Sequence, residues 1–132
     1  ALMSSLSDKV DRVVAISPVV DWVGQSVNEP MDWFEQVVLD GYSGAYRFDH
    51  EDWLRLSSGQ WFQPQNQTKE FKKEKLFVFH AQDDKVVPIG PTKSFVEKVG
   101  CAHKYFRTGN HSLQKKILRF PNTTKILKFL NS

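Results

Sequence analysis

Unbroken apolar runs, rather than alternating ones, mark the first two strands of this chain. Val13-Val14-Ala15-Ile16 predicts a strand within 12–17, buried on both faces as parallel strands usually are. Pro18 ends it. Leu76-Phe77-Val78-Phe79-His80 predicts a second buried strand, and a third strand is expected at about 103–107. Helical periodicity falls between and after these runs. Phe95, Val96 and Val99 share one face of a helix over 92–99, closed by Gly100. Beyond Pro121, Ile126, Leu127, Phe129 and Leu130 predict the buried stripe of a last helix, with Asn122 as its cap, and a short helix spans about 113–119. Residues 1–6 read as the tail of a helix and 8–11 as a turn.

The interval 19–74 has a different character. It predicts two helices, about 30–39 opened by Pro30 and about 49–56 capped by Asp49. All four tryptophans (Trp22, Trp33, Trp53, Trp61) lie here, with Phe34, Tyr42, Tyr46, Phe48 and Phe62. Most of these aromatics are expected to pin an irregular subregion to the domain; a few could wall an apolar pocket. The order helix, strand, helical interval, strand, helix, strand, helix argues for an α/β fold with about three parallel strands and flanking helices. Polar function in such sheets gathers at the carboxyl ends of the strands. The loops 82–87 and 108–112 both fall at that edge.

Composition narrows the classes. The chain has 132 residues, 40% apolar and 13% aromatic, too rich in core-forming residues for disorder. No apolar run reaches the roughly 18 residues of a membrane span, so no membrane partner is expected. One cysteine, Cys101, excludes an internal disulfide framework and a Cys-rich zinc module, and its lone use favours a cytoplasmic location. The four histidines, His50, His80, His103 and His111, show no metal-binding spacing. No metal and no cofactor is expected. The net charge of +3 conceals −6 over residues 1–66 and +9 over 67–132. The lysines of the basic half fall in short clusters typical of solvated faces, so no nucleic-acid partner is expected.

Chemistry concentrates in the two polar loops. An acid after one strand and a histidine after the next are what nucleophilic catalysis needs: the carboxylate fixes the imidazole tautomer, and the imidazole relays a proton. Asp84 and His111 stand in that order. Their flanks add a resemblance. The stretch His80-Ala81-Gln82-Asp83-Asp84-Lys85-Val86-Val87-Pro88 resembles the acid loop of α/β-hydrolases, most closely the prolyl oligopeptidase-like serine peptidases and esterases. Their pattern is His-Gly, two residues, the catalytic Asp, two residues, Val-Pro. The resemblance places the acid on Asp84 rather than Asp83, with Ala81 replacing the Gly. Thr108-Gly109-Asn110-His111-Ser112-Leu113 resembles the loop of the catalytic histidine, with Asn110 where a second Gly is common; Asn tolerates left-handed backbone. Residues 12–22 look like the strand after the nucleophile helix, which makes Trp22 a candidate for the substrate wall.

One element of the pattern is missing. α/β-Hydrolases carry the nucleophile on a Gly-x-Ser-x-Gly elbow, and no such pentapeptide occurs here. Ser17 follows a strand, but Pro18 cannot supply the backbone N–H that an oxyanion site requires. The resemblance therefore implies the C-terminal portion of an α/β-hydrolase fold: a single partial domain over 1–132, with 19–74 as a helical insertion and 75–132 carrying both loops. The serine would lie upstream of Ala1, and peptide or ester substrates would belong to the longer parent. The chain alone is expected to be inactive and to self-associate through an exposed sheet edge.

Two other classes stay open. A non-catalytic α/β binding or interaction module would leave Asp83, Asp84 and His111 as solvated loop residues, and Asp84–His111 contact separates it from the hydrolase. A basic nucleic-acid binder would show steeply salt-dependent DNA binding. The glycosylation sequons at Asn66, Asn110 and Asn122 are short enough to arise by chance. His80 is expected to pack at its strand end rather than bind metal, and Cys101 to be a buried small residue. His50 and His103 have no visible role.

Overall fold

A computed structural model describes residues 1–28 and 49–132. The expected helix over 30–39, and Trp33, Phe34, Tyr42, Tyr46 and Phe48, lie outside the described residues. The chain divides into two compact units, 1–20 with 64–132, and 21–63.

The first unit is built on a sheet of three parallel strands, β1 (Val13–Ile16), β2 (Leu76–Ala81) and β3 (Ala102–Phe106), in the order β1-β2-β3. Ala15 pairs with Val78 and Phe79 with Lys104, so β2 is central and its two neighbours run parallel to it. Every residue of β2 is buried, as its continuous apolar run predicts. Alternation sends Phe77, Phe79 and Ala81 to one face, where they pack with Leu113 and Ile117 and with the half-buried Val14, Phe106, Ile126 and Phe129. Leu76, Val78 and His80 take the other face. β1 departs from the sequence expectation: Val13 and Ala15 are buried, Val14 is half-buried and Ile16 is 45% exposed. It lies at one edge of this sheet, and only the face that carries Val13 and Ala15 is fully covered.

α3 (Ile89–Val99) packs against β2 and buries Thr92, Phe95 and Val96. Phe95 meets Phe71 edge-on at 5.0 Å. The helix starts three residues before the expected position, and Gly100 ends it with φ 71°, its N–H bonded to the Val96 carbonyl at 2.8 Å. At the other end of the chain lie the one-turn α4 (Gln114–Ile117) and α5 (Asn122–Leu130). Asn122 does not cap α5 with its side chain. That side chain is buried and turned inward, donating to the Lys116 carbonyl at 2.7 Å and accepting from the Lys104 ammonium. Thr123 reaches the Ile117 carbonyl at 3.2 Å, so the start of α5 satisfies the carbonyls that the end of α4 leaves open. The buried stripe of α5 is also narrower than expected. Ile126 and Phe129 touch the core, whereas Leu127 and Leu130 are exposed. Residues 3–6 form a single 3₁₀ turn.

The second unit contains α1 (Trp22–Asn28) and α2 (His50–Ser57). Asp49 caps α2 as expected, accepting from the Asp52 N–H at 3.0 Å. Asp21 does the same for α1 through the Gly24 N–H. Trp22 is half-buried and meets Trp53 edge-on at 6.3 Å, and its N–H is bonded to the Gln63 side chain at 3.0 Å.

Candidate active site

Because β2 and β3 run parallel, the loops that follow them leave the sheet at the same edge. Hydrogen bonds join those loops. The Gln82 N–H donates to the Phe106 carbonyl at 2.8 Å, and the Asn110 N–H donates to Asp83 Oδ1 at 2.9 Å. The Asp83 carboxylate therefore holds the backbone of the histidine loop, and its neighbour Asp84 makes the contact with the histidine.

The Asp84 side chain is fully buried. Its Oδ1 accepts from the Val86 N–H at 3.0 Å and the Val87 N–H at 2.9 Å, the turn an Asp makes with its own following backbone. Its Oδ2 stands 3.0 Å from His111 Nδ1 and 3.3 Å from His80 Nε2. Burial pushes the Asp84 carboxyl up, but the hydrogen bonds from Val87, His111 and Val86, with a further pull from Ser17, outweigh it and hold the group below its ordinary value. A carboxylate there accepts and does not donate, so the shared proton sits on His111 Nδ1. The opposite nitrogen, Nε2, then carries a lone pair, and the ring is 46% exposed. The arrangement presents an oriented base to whatever occupies that edge.

The loop backbone explains how His111 gets there. Gly109 passes so close to the buried Leu113 that a Cβ would collide with that side chain. Asn110 has φ 52°, a left-handed conformation that Asn accepts more readily than most residues. Leu113 has φ 49°, an uncommon geometry for a leucine, and anchors the loop in the core at 1% exposure.

Two further residues stand at the site: His80, the first residue of the acid-loop pattern, and Ser17, which belongs to no motif. His80 is wholly buried at the end of β2, its Nε2 2.9 Å from the Val87 carbonyl and also within reach of Asp84. It packs at its strand end, as expected, and also contacts the acid. Ser17 ends β1 with φ 44°, is buried, and makes no hydrogen bond of ordinary geometry with its hydroxyl. Asp84 and His111 are thus brought together within the first unit, while Trp22 belongs to the second. Cys101 is buried, and burial pushes its thiol up to about 11, which leaves it unreactive. Among the described residues, no group of three or more His, Cys, Asp or Glu could hold a metal ion. No helix among them is long and apolar enough to cross a membrane.

No protein-family model matches the chain, and no curated protein matches its sequence. A solved structure does. An esterase of Pyrococcus furiosus superposes with a TM-score of 0.62 at 21% identity, over 98% of this chain and 48% of that one. The chain spans about half the length of that esterase, and the likeness is one of fold.

Proposed function

We propose that this chain supplies the acid and the base of a serine hydrolase triad, with Asp84 as acid and His111 as base. The observation that carries the reading is the buried Asp84 carboxylate, held by two backbone N–H groups and bonded to Nδ1 of a half-exposed histidine. In this reading His111 Nε2 takes the proton of a serine hydroxyl as its oxygen attacks the acyl carbon. It then returns that proton to the departing alcohol or amine. Water, deprotonated by the same nitrogen, releases the acid product and restores the serine. The fold shared with an esterase supports the class, and the acid-loop and histidine-loop motifs support a prolyl oligopeptidase-like member acting on peptides or esters.

The nucleophile of this proposal comes from sequence outside these 132 residues, since no Gly-x-Ser-x-Gly segment occurs within them. A cytoplasmic location accords with the single, buried Cys101.

Turnover of p-nitrophenyl acetate and of a short peptidyl ester by the full-length protein tests the reading. Asp84→Asn and His111→Ala are each expected to lower kcat by roughly 10³- to 10⁴-fold. The 132-residue chain alone is expected to take no fluorophosphonate label. Labelling of any serine in the isolated chain places the nucleophile inside it and overturns its upstream origin, whereas undiminished turnover in both variants overturns the triad. The pair would then belong to a non-catalytic α/β module.

A further inference from the structure

β2 buries six residues in a row, and five of them are apolar. The sixth is His80, at 0% exposure. A buried imidazole costs free energy that an aliphatic side chain would not, unless its polar atoms are matched. Only one of them is. Nε2 faces the Val87 carbonyl at 2.9 Å and Asp84 Oδ2 at 3.3 Å, whereas Nδ1 is buried without a partner.

Both partners of Nε2 are acceptors, a carbonyl and a carboxylate, so Nε2 carries the proton and shares it between them. Nδ1 is then a bare lone pair, which is the cheaper way to leave a ring nitrogen unmatched. Burial, helped by the nearby His111 and resisted by Val87 and Asp84, holds His80 below its ordinary value and so keeps the ring neutral. The result completes a symmetrical set of donors. Val86 and Val87 bind one oxygen of Asp84, while His111 and His80 approach the other. His80 also grips the Val87 carbonyl, whose own N–H holds Asp84, so one imidazole braces both the loop and the acid.

We propose that His80 is a positioning residue that fixes the Asp84 carboxylate toward His111 and thereby sets the tautomer of His111. The inference rests on the hydrolase reading for its catalytic consequence, although its structural content can be measured without turnover. Ring-nitrogen NMR shifts of the 132-residue chain at pH 9 are expected to show His80 with its proton on Nε2 and His111 with its proton on Nδ1. In His80→Leu, close in size but lacking the donor, the Nδ1-protonated fraction of His111 is expected to fall by roughly half or more as Nε2–H gains. His80→Gln, whose amide can donate from a similar place, is expected to restore it. In the full-length protein, His80→Leu is expected to lower kcat at least about tenfold with KM little changed, and His80→Gln to recover most of it.

A proton on His80 Nδ1 in the unmodified chain overturns the inference without any variant, so a His80→Leu chain that fails to fold does not shield it. An unchanged His111 tautomer in a folded His80→Leu chain overturns it too. If the tautomers behave as expected but the full-length protein hydrolyses nothing, the hydrolase reading falls and the bracing stands. If hydrolysis is present and insensitive to His80→Leu, the bracing falls and the hydrolase reading stands.

Discussion

Folding lowers the pKa of both Asp84 and His80, and the same sign follows for each. The unfolded chain binds more protons than the native one at these groups, so stability falls as pH drops. For His80 the contribution is complete above about 6.5 and is lost on acidification through its lower native value. For Asp84 the loss begins below about 3.8. Urea midpoints followed from neutral to acid pH are expected to fall in that order, and His80→Gln should flatten the earlier part of the decline. An unaltered slope in His80→Gln would assign the acid sensitivity elsewhere. Gly109→Ala should be costly for a different reason, since the added methyl meets Leu113 in the core; about 1–3 kcal/mol is expected, read from denaturant unfolding. Asp84 and His111 were legible at this scale because their loops carry short motifs with fixed spacing. The contact between His80 and Asp84 was not, because it depends on how the backbone turns after Ala81. The motif fixes the spacing of His80 and Asp84 but not the path of the turn between them.

Helix ends account for most of what the sequence misplaces among elements. α1 is built from Trp22-Val23-Gly24-Gln25-Ser26-Val27-Asn28, a run of modest helix formers, and it forms where Asp21 caps it and Trp53 packs against it. The Asp21 cap is local, but Trp53 is distant in sequence, so propensity alone gives no sign of the packing that holds the helix. α2 was legible because its cap, Asp49, is local. Asn122 shows the opposite outcome: a residue type that favours caps was drawn inward by unsatisfied carbonyls of the preceding turn. Asn122→Ala is expected to cost about 1–3 kcal/mol in urea unfolding, more than a lost cap on a frayed end, because it strands a carbonyl and an ammonium together. A cost below about 0.5 kcal/mol would mean that water replaces the amide without penalty.

Over the whole molecule, β1 and β2 were legible from their apolar runs, whereas β3 carries none, and the coverage of the sheet's edges was not legible. The exposed Ile16 on β1 and the exposed Leu118, Phe120, Leu127 and Leu130 leave apolar surface at the periphery. We expect the isolated chain to self-associate, with an apparent mass in light scattering that rises with concentration, and Ile16→Lys to reduce the rise. A monomer at every concentration counts against both expectations. The register of the sheet has a kinetic consequence as well. Val78 pairs with His103 across one helix, whereas Ala15 must reach the same Val78 across the whole of the intervening chain. The shorter closure loses less chain entropy, so β2, α3 and β3 are expected to assemble first and β1 to dock last. Pulsed hydrogen exchange during refolding should protect the amides of β2 that face β3 before those of β1. Both polar loops hang from the early-forming unit, so Asp84 and His111 would meet before the sheet is complete.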